Sequence, residues 1–163
     1  MENNVTTLPE ITVVGIKART NNSLEANPST ALIGQTLQRY FQDNISQKIQ
    51  DRVHPGTLFG IYTEYETDLT GDYTYFVGEE VSSTDSIPVG LEVLHIPLQR
   101  YMKYTTNPGA MPTVVIDAWH KIWQMTTQEL GGERCYHSDF EVYDTRSLDP
   151  QNTVLDIYIG IKP

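Results

Sequence analysis

The first sustained apolar pattern runs from Ile11 to Arg19, where Ile11, Val13, Val14 and Ile16 mark a strand. A polar loop, Thr20 to Ala26, follows it. Asn27-Pro28 then reads as a helix start, an N-cap residue ahead of proline at the first helical position. Ile33, Leu37, Tyr40 and Phe41 recur at helical spacing, and the pattern fades between Asp43 and Asp51. His54-Pro55-Gly56 is a turn. Thr57 to Glu66 and Tyr73 to Val81 read as strands joined by a hairpin connection holding Gly71. Leu91 to Tyr104 reads as one more strand, with an edge or a break at Pro97. Met111-Pro112 opens a second helix, in which Val115, Trp119, Ile122, Trp123 and Thr126 give the spacing of a helix packed on a sheet, and Gly131-Gly132 stops it. Tyr136 to Asp144 and Val154 to Ile161 close the chain as strands, with a turn-rich loop at Leu148 to Asn152.

The order strand, helix, strand, strand occurs twice. A shift of about 81 residues places Gly60-Ile61-Tyr62 on Glu141-Val142-Tyr143 and Val77-Gly78 on Ile159-Gly160. This predicts an α+β fold of one domain, residues 1–163, built from two βαββ units at 8–82 and 90–162. The strands form a mostly antiparallel, curved sheet with both helices on one side, leaving a pocket on the opposite, concave side.

Within Asp139-Phe140-Glu141-Val142-Tyr143, alternation sends Asp139, Glu141 and Tyr143 to one face and Phe140 and Val142 to the other. If the first face is solvated, the segment carries no chemistry. If it lines an aromatic cavity, Glu141 is a buried carboxylate in need of a positive partner. The repeat sets Gly60 against Glu141, which leaves either room for a guest or merely a bulge or close backbone approach. Glu79 and Glu80, closing a strand, read as solvated.

Composition narrows the classes of function. The chain has ordinary hydrophobic (39%) and charged (20%) fractions but ten tyrosines, which favour strands and make rigid, amphipathic walls. The formal net charge of −10 disfavours direct nucleic-acid binding and serves solubility or attraction of a cationic ligand or basic partner. The single cysteine, Cys135, excludes an intramolecular disulfide and fits a reducing compartment. No secretory leader or transmembrane run is legible, so a cytoplasmic location is expected and the sequons at Asn4, Asn21 and Asn44 carry no weight. His54, His95, His120 and His137 lack metal-ligand spacing, and no phosphate loop or Gly-x-Ser-x-Gly elbow occurs. Asp117 and His120, one helical turn apart, read as a solvated pair. Neither a metal nor a cofactor is expected.

Two segments together, Leu58-Phe59-Gly60-Ile61-Tyr62 and Tyr73-Thr74-Tyr75-Phe76-Val77-Gly78-Glu79-Glu80-Val81, resemble the first half of the bacterial effector-binding domain of the gyrase-inhibitor-like superfamily. Trp119-His120-Lys121-Ile122-Trp123, the Asp139–Tyr143 strand and Ile157-Tyr158-Ile159-Gly160-Ile161 resemble its second half. Each motif alone is weak; their order and spacing, from about Ile11 to Lys162, are what make the likeness. The domain also forms the ligand-binding part of AraC-type and MerR-type multidrug regulators and occurs in proteins of mobile integron cassettes. The resemblance implies an aromatic pocket for lipophilic cationic drugs or dyes, with a buried glutamate, here Glu141, as counter-ion. It implies Tyr62, Tyr75, Tyr143, Trp119 and Trp123 as wall candidates, about half of which line the pocket, with Gly60 opposite. No helix-turn-helix segment precedes Ile11, so a stand-alone domain is expected, one that sequesters ligand or senses it for a separate DNA-binding or basic protein, without touching nucleic acid or membrane itself. Two alternatives stand beside the non-enzymatic reading: a hydrolase of strained electrophiles, and an acidic protein-interaction module.

Overall fold

The computed structural model describes residues 4–163. In chain order its elements are β1 (Val5–Leu8), β2 (Ile11–Thr20), α1 (Asn22–Glu25), α2 (Ile33–Gln42), α3 (Ile45–Lys48), β3 (Leu58–Thr63), β4 (Tyr73–Glu80), β5 (Glu92–Ile96), β6 (Gln99–Thr105), α4 (Thr113–Gln124), α5 (Thr127–Leu130), β7 (Ser138–Tyr143) and β8 (Asp156–Ile161). All strands pair antiparallel in one sheet of order β1-β6-β8-β7-β3-β4-β2-β5. The α+β class and the antiparallel curved sheet are as expected.

The two ends of the sheet are tied together. β1 leads into β2 through Pro9-Glu10, and β5 into β6 through Pro97-Leu98, yet each pair of strands lies at opposite ends of the sheet. β1 pairs with β6, and β5 pairs with β2, so each half of the sheet borrows an edge strand from the segment that leads into the other. The segment Leu91–Tyr104, read from sequence as one strand, is therefore two. Proline has no N–H for the ladder, and at Pro97 the chain leaves one sheet edge for the far side. The strand Val5–Leu8 lies ahead of the first apolar pattern at Ile11; it is a short edge strand whose alternation is too brief to stand out.

Two-residue links can span the sheet only if it curls strongly. At the β2–β4 crossing, Gly15 faces Gly78, and a side chain on either would collide with the backbone of the other strand. Inside the curl lies a cluster made of strand residues alone, including Ile61, Phe76, Ile96, Tyr101 and Phe140, all essentially excluded from solvent. Each such side chain contributes about 1.5–3 kcal/mol by its removal from water. The side away from the helices, expected to hold a pocket, is filled by this cluster.

Both long helices pack on the other face. Tyr40 of α2 joins Val14, Ile16, Tyr75 and Val77, while Ala118, Trp119 and Ile122 of α4 join Leu155, Ile157 and Ile159. Helix α2 begins at Ile33, five residues beyond Pro28. The Asn27 side chain accepts from Ser29 N–H and closes a turn instead, and the Glu25 carboxylate accepts the N–H groups of Leu32 and Ile33 at the start of the helix. Phe41, expected on the apolar stripe, is 60% exposed. Helix α4 ends at Gln124, before the glycines. Thr126 serves there as N-cap of α5 in a capping box with Glu129, and α5 stops at Gly131 in the left-handed region, φ 77°.

Candidate functional site

Strand β7 lies in the middle of the sheet between β3 and β8, so both of its faces are covered. Its alternation holds as read: Phe140 enters the strand-only cluster, while Asp139, Glu141 and Tyr143 point to the helix-bearing face. Register sets Gly60 of β3 directly across from Glu141, and Tyr62 across from Asp139. The face with Glu141 is not solvated; Glu141 is 2% exposed.

Three donors converge on its carboxylate. Tyr62 Oη and Trp119 Nε1 donate to Oε2 at 2.8 and 2.7 Å, and Tyr143 Oη donates to Oε1 at 2.5 Å. The Tyr62 ring packs against Tyr75 at 5.5 Å, Trp119 at 5.1 Å and Tyr73 at 5.7 Å between centroids. A Cβ on Gly60 would lie 3.2 Å from Glu141 Oε1 and 3.3 Å from Tyr75 Oη, so the missing side chain forms part of the cage. Burial raises the Glu141 carboxyl above the usual range, and the bonds from Tyr143, Trp119 and Tyr62 pull it partly back. Burial, reinforced by the nearby Glu141, raises the hydroxyls of Tyr62, Tyr143 and Tyr75. They are neutral donors at physiological pH.

The other buried acids differ from Glu141 in one respect. Glu79 faces Arg52 at 3.3 Å and accepts Gly56 N–H at 3.1 Å. Asp139 accepts from Arg134 at 2.7 Å, Tyr65 Oη at 2.6 Å and Gly160 N–H at 2.7 Å. Asp156 meets Arg146 at 2.7 Å. Of these four carboxylates, Glu141 is the one whose hydrogen-bond donors, among the described residues, are all neutral.

The residues singled out from sequence divide accordingly. Glu141, Gly60, Tyr62, Tyr75, Tyr143 and Trp119 come together. Trp123 does not: it is 42% exposed, its ring lies 6.5 Å from that of Trp119, and it lines a separate groove of about 300 Å³. One further turn of α4 carries it past the edge of the cage. Glu79, read as solvated, is buried and ties down the loop before β3. Sequence reading missed the role of Asp139 and its partners Arg134 and Tyr65. The signal available was the two-residue spacing from Glu141, which puts both acids on one face. Among the described residues no helix is long and apolar enough to cross a membrane.

A family described as integron-associated effector binding protein matches residues 4–161. The chain belongs to this family. YobU of Bacillus subtilis (strain 168), named as a candidate transcriptional regulator, is 29% identical over 151 residues, covering 91% of this chain and 90% of its own. The integron cassette protein VCH_CASS2 from the mobile metagenome of Vibrio cholerae is 28% identical, with a TM-score of 0.79 over 98% of this chain and 95% of that one. SAV2435, solved bound to tetraphenylphosphonium, shares the fold at 21% identity, with a TM-score of 0.77 over 99% and 94% of the two chains. Effector binding is thus the activity by which the family is described.

Proposed function

We propose that the protein binds lipophilic organic cations between α4 and the β3–β7 seam, with Glu141 as counter-ion. One observation carries this reading: among the described residues Glu141 is a buried carboxylate with neutral donors only, whereas the other buried acids, Glu79, Asp139 and Asp156, each meet an arginine. An unpaired buried charge is costly, and a desolvated cation relieves that cost as water cannot. Tyr62, Tyr75, Tyr143 and Trp119 add cation–π attraction of about 0.5–2 kcal/mol each where a ring face meets the guest. The cage is closed in the free protein, so the guest enters by displacing side chains. Between the α4 backbone and the sheet lies a gap bridged by side chains. The gap is occupied by rings, and rotating Trp119 away from Glu141 opens it without breaking a strand ladder. The bound protein sequesters the cation or presents its changed surface to a separate DNA-binding or basic partner.

The test compares ions of one shape and opposite charge. Tetraphenylphosphonium, the ligand carried by SAV2435, is titrated beside tetraphenylborate, with tryptophan fluorescence as the readout. The phosphonium is expected to bind at least tenfold more tightly. Equal affinities would reduce the site to a hydrophobic hole and remove the counter-ion.

The raised carboxyl of Glu141 sets the pH dependence. Between its ordinary value and its raised value the folded protein holds a proton that the unfolded chain has lost. The stability contribution of that proton, present at low pH, is therefore lost as pH rises through the raised value. A cation requires the charged form, so its affinity climbs about tenfold per pH unit below the raised value and levels off above it. Calorimetry in buffers of different ionisation enthalpy should find close to one proton released per cation bound on the rising limb. An affinity independent of pH from 4 to 8 would contradict it.

Gly60→Ala narrows the cage where Tyr75 and Glu141 flank the glycine. A methyl at 3.2–3.3 Å forces small shifts, at a cost of about 1 kcal/mol and about 2–4 °C in thermal midpoint. Affinity for tetraphenylphosphonium is expected to fall several-fold while far-UV circular dichroism is unchanged. Undiminished binding would place the guest away from Gly60.

A further inference from the structure

From the groove beside Trp123 we infer a second ligand site, one that takes a neutral aromatic molecule carrying a carbonyl acceptor. The groove, about 300 Å³, lies where the end of α4, α5, the β3–β4 connection and the segment before β7 meet. Leu69, Trp123, Met125, Leu130 and Tyr136 supply its apolar and aromatic wall, Thr127 and Glu133 add polar groups, and Arg134 is its buried polar group. The Arg134 side chain is 8% exposed. One guanidinium edge donates to Asp139, and the plane rests on the Tyr136 ring at 4.4 Å. Its Nε–H is buried and has no hydrogen-bond partner among the described residues. An unpaired buried donor is costly, and a ligand oxygen recovers that cost once a small shift of the Arg134 side chain uncovers Nε–H to the groove.

Charge decides which acceptor fits. Asp139 already balances Arg134, and Glu133 at the rim is held by Lys162 at 3.0 Å. The groove therefore holds no surplus positive charge, and the chain as a whole repels anions with its net charge of −10. A neutral carbonyl satisfies the unpaired Nε–H; a carboxylate would have to be desolvated beside a guanidinium that Asp139 has already neutralised. A volume of this size suits a single substituted ring rather than a tetraaryl cation. The site is separate from the Glu141 cage, yet α4 carries Trp119 into one and Trp123 into the other, and β7 carries Asp139 and Glu141.

Acetophenone and its near-isosteric hydrocarbon α-methylstyrene separate the hydrogen bond from the shape, and benzoate supplies the anion. Titrations are followed in nitrogen-15 correlation spectra at the Arg134 Nε–H and the two indole N–H resonances. Acetophenone is expected to shift Arg134 Nε–H and the Trp123 indole saturably and to bind about tenfold more tightly than α-methylstyrene, with benzoate weaker than acetophenone. Arg134→Lys keeps the charge opposite Asp139 but lacks Nε–H, so the two isosteres should then bind alike. Trp123→Ala should weaken both. Glu141→Gln should leave acetophenone binding unchanged, which distinguishes failure here from failure of the cation reading. Equal affinities in the wild type, shifts confined to the Trp119 indole, or tighter binding of benzoate would each overturn the proposal.

Discussion

Glu141→Gln is expected to lower the affinity for tetraphenylphosphonium about a hundredfold at pH 8. Opposite charges about 5 Å apart at an effective dielectric constant of about 20 attract by about 3 kcal/mol, which corresponds to that factor. Glutamine is the right probe because the cage accepts it. An amide oxygen at the Oε2 position still receives Tyr62 Oη and the Trp119 indole, and the amide nitrogen can donate to Tyr143 Oη, since a phenol accepts as well as donates. The variant should therefore fold. Its stability at pH 8 should equal or exceed that of the wild type, because a buried charge with only neutral donors has been removed. The fall in stability with rising pH, which follows from the raised Glu141 carboxyl, should disappear together with the pH dependence of binding. Chemical denaturation across pH 4 to 8 and titration of the cation check both. Unchanged affinity at pH 8 would end the counter-ion role of Glu141.

Asp139→Ala should act on stability instead, with a loss of about 3–5 kcal/mol. The carboxylate organises Arg134, Tyr65 Oη and Gly160 N–H, which come from three different segments of the chain. Its removal leaves a buried guanidinium without its partner and two further donors unpaired. For a chain of this length the thermal midpoint should fall by about 10 °C. Arg134→Ala should cost a similar amount, and the double variant much less than the sum, because each single change strands the other charge. A loss below about 1 kcal/mol for Asp139→Ala, or additive effects, would show that the pair is not a structural clamp.

These two acids, two residues apart on one strand, illustrate how far the chain can be read unaided. Alternation correctly put both on one face, since side-chain direction along a strand follows from its backbone alone. Nothing in that pattern distinguished them. Asp139 is matched by Arg134, which is close in sequence but reaches it only after the Gly131-Gly132 break and the turn into β7. Glu141 is met by Tyr62, seventy-nine residues away, and by Trp119, twenty-two away. The repeat was legible enough to set Gly60 against Glu141, and the register of β3 and β7 agrees. The helix starts were less legible. Asn27-Pro28 has the residues of a helix start, but the Asn27 side chain closes a local turn and Glu25 supplies the cap further on. Trp119 and Trp123, four residues apart on one helical stripe, look equivalent in sequence. One further turn of the helix carries the second past the cage, to 42% exposure.

The α+β class, the order of the longer strands and of the two long helices, and the faces of the Asp139–Tyr143 strand were legible in the chain alone. All of these follow from local backbone geometry and the period of the hydrophobic pattern. The folded arrangement settled that β1 and β5 each join the far half of the sheet, that the strand-only cluster fills the side away from the helices, and that Glu141, among the buried carboxylates of the described residues, is the one with neutral donors only. Those outcomes depend on which distant segments come to lie side by side. The burial of a charge, and the presence or absence of its partner, is a property of that meeting and not of any one stretch of chain.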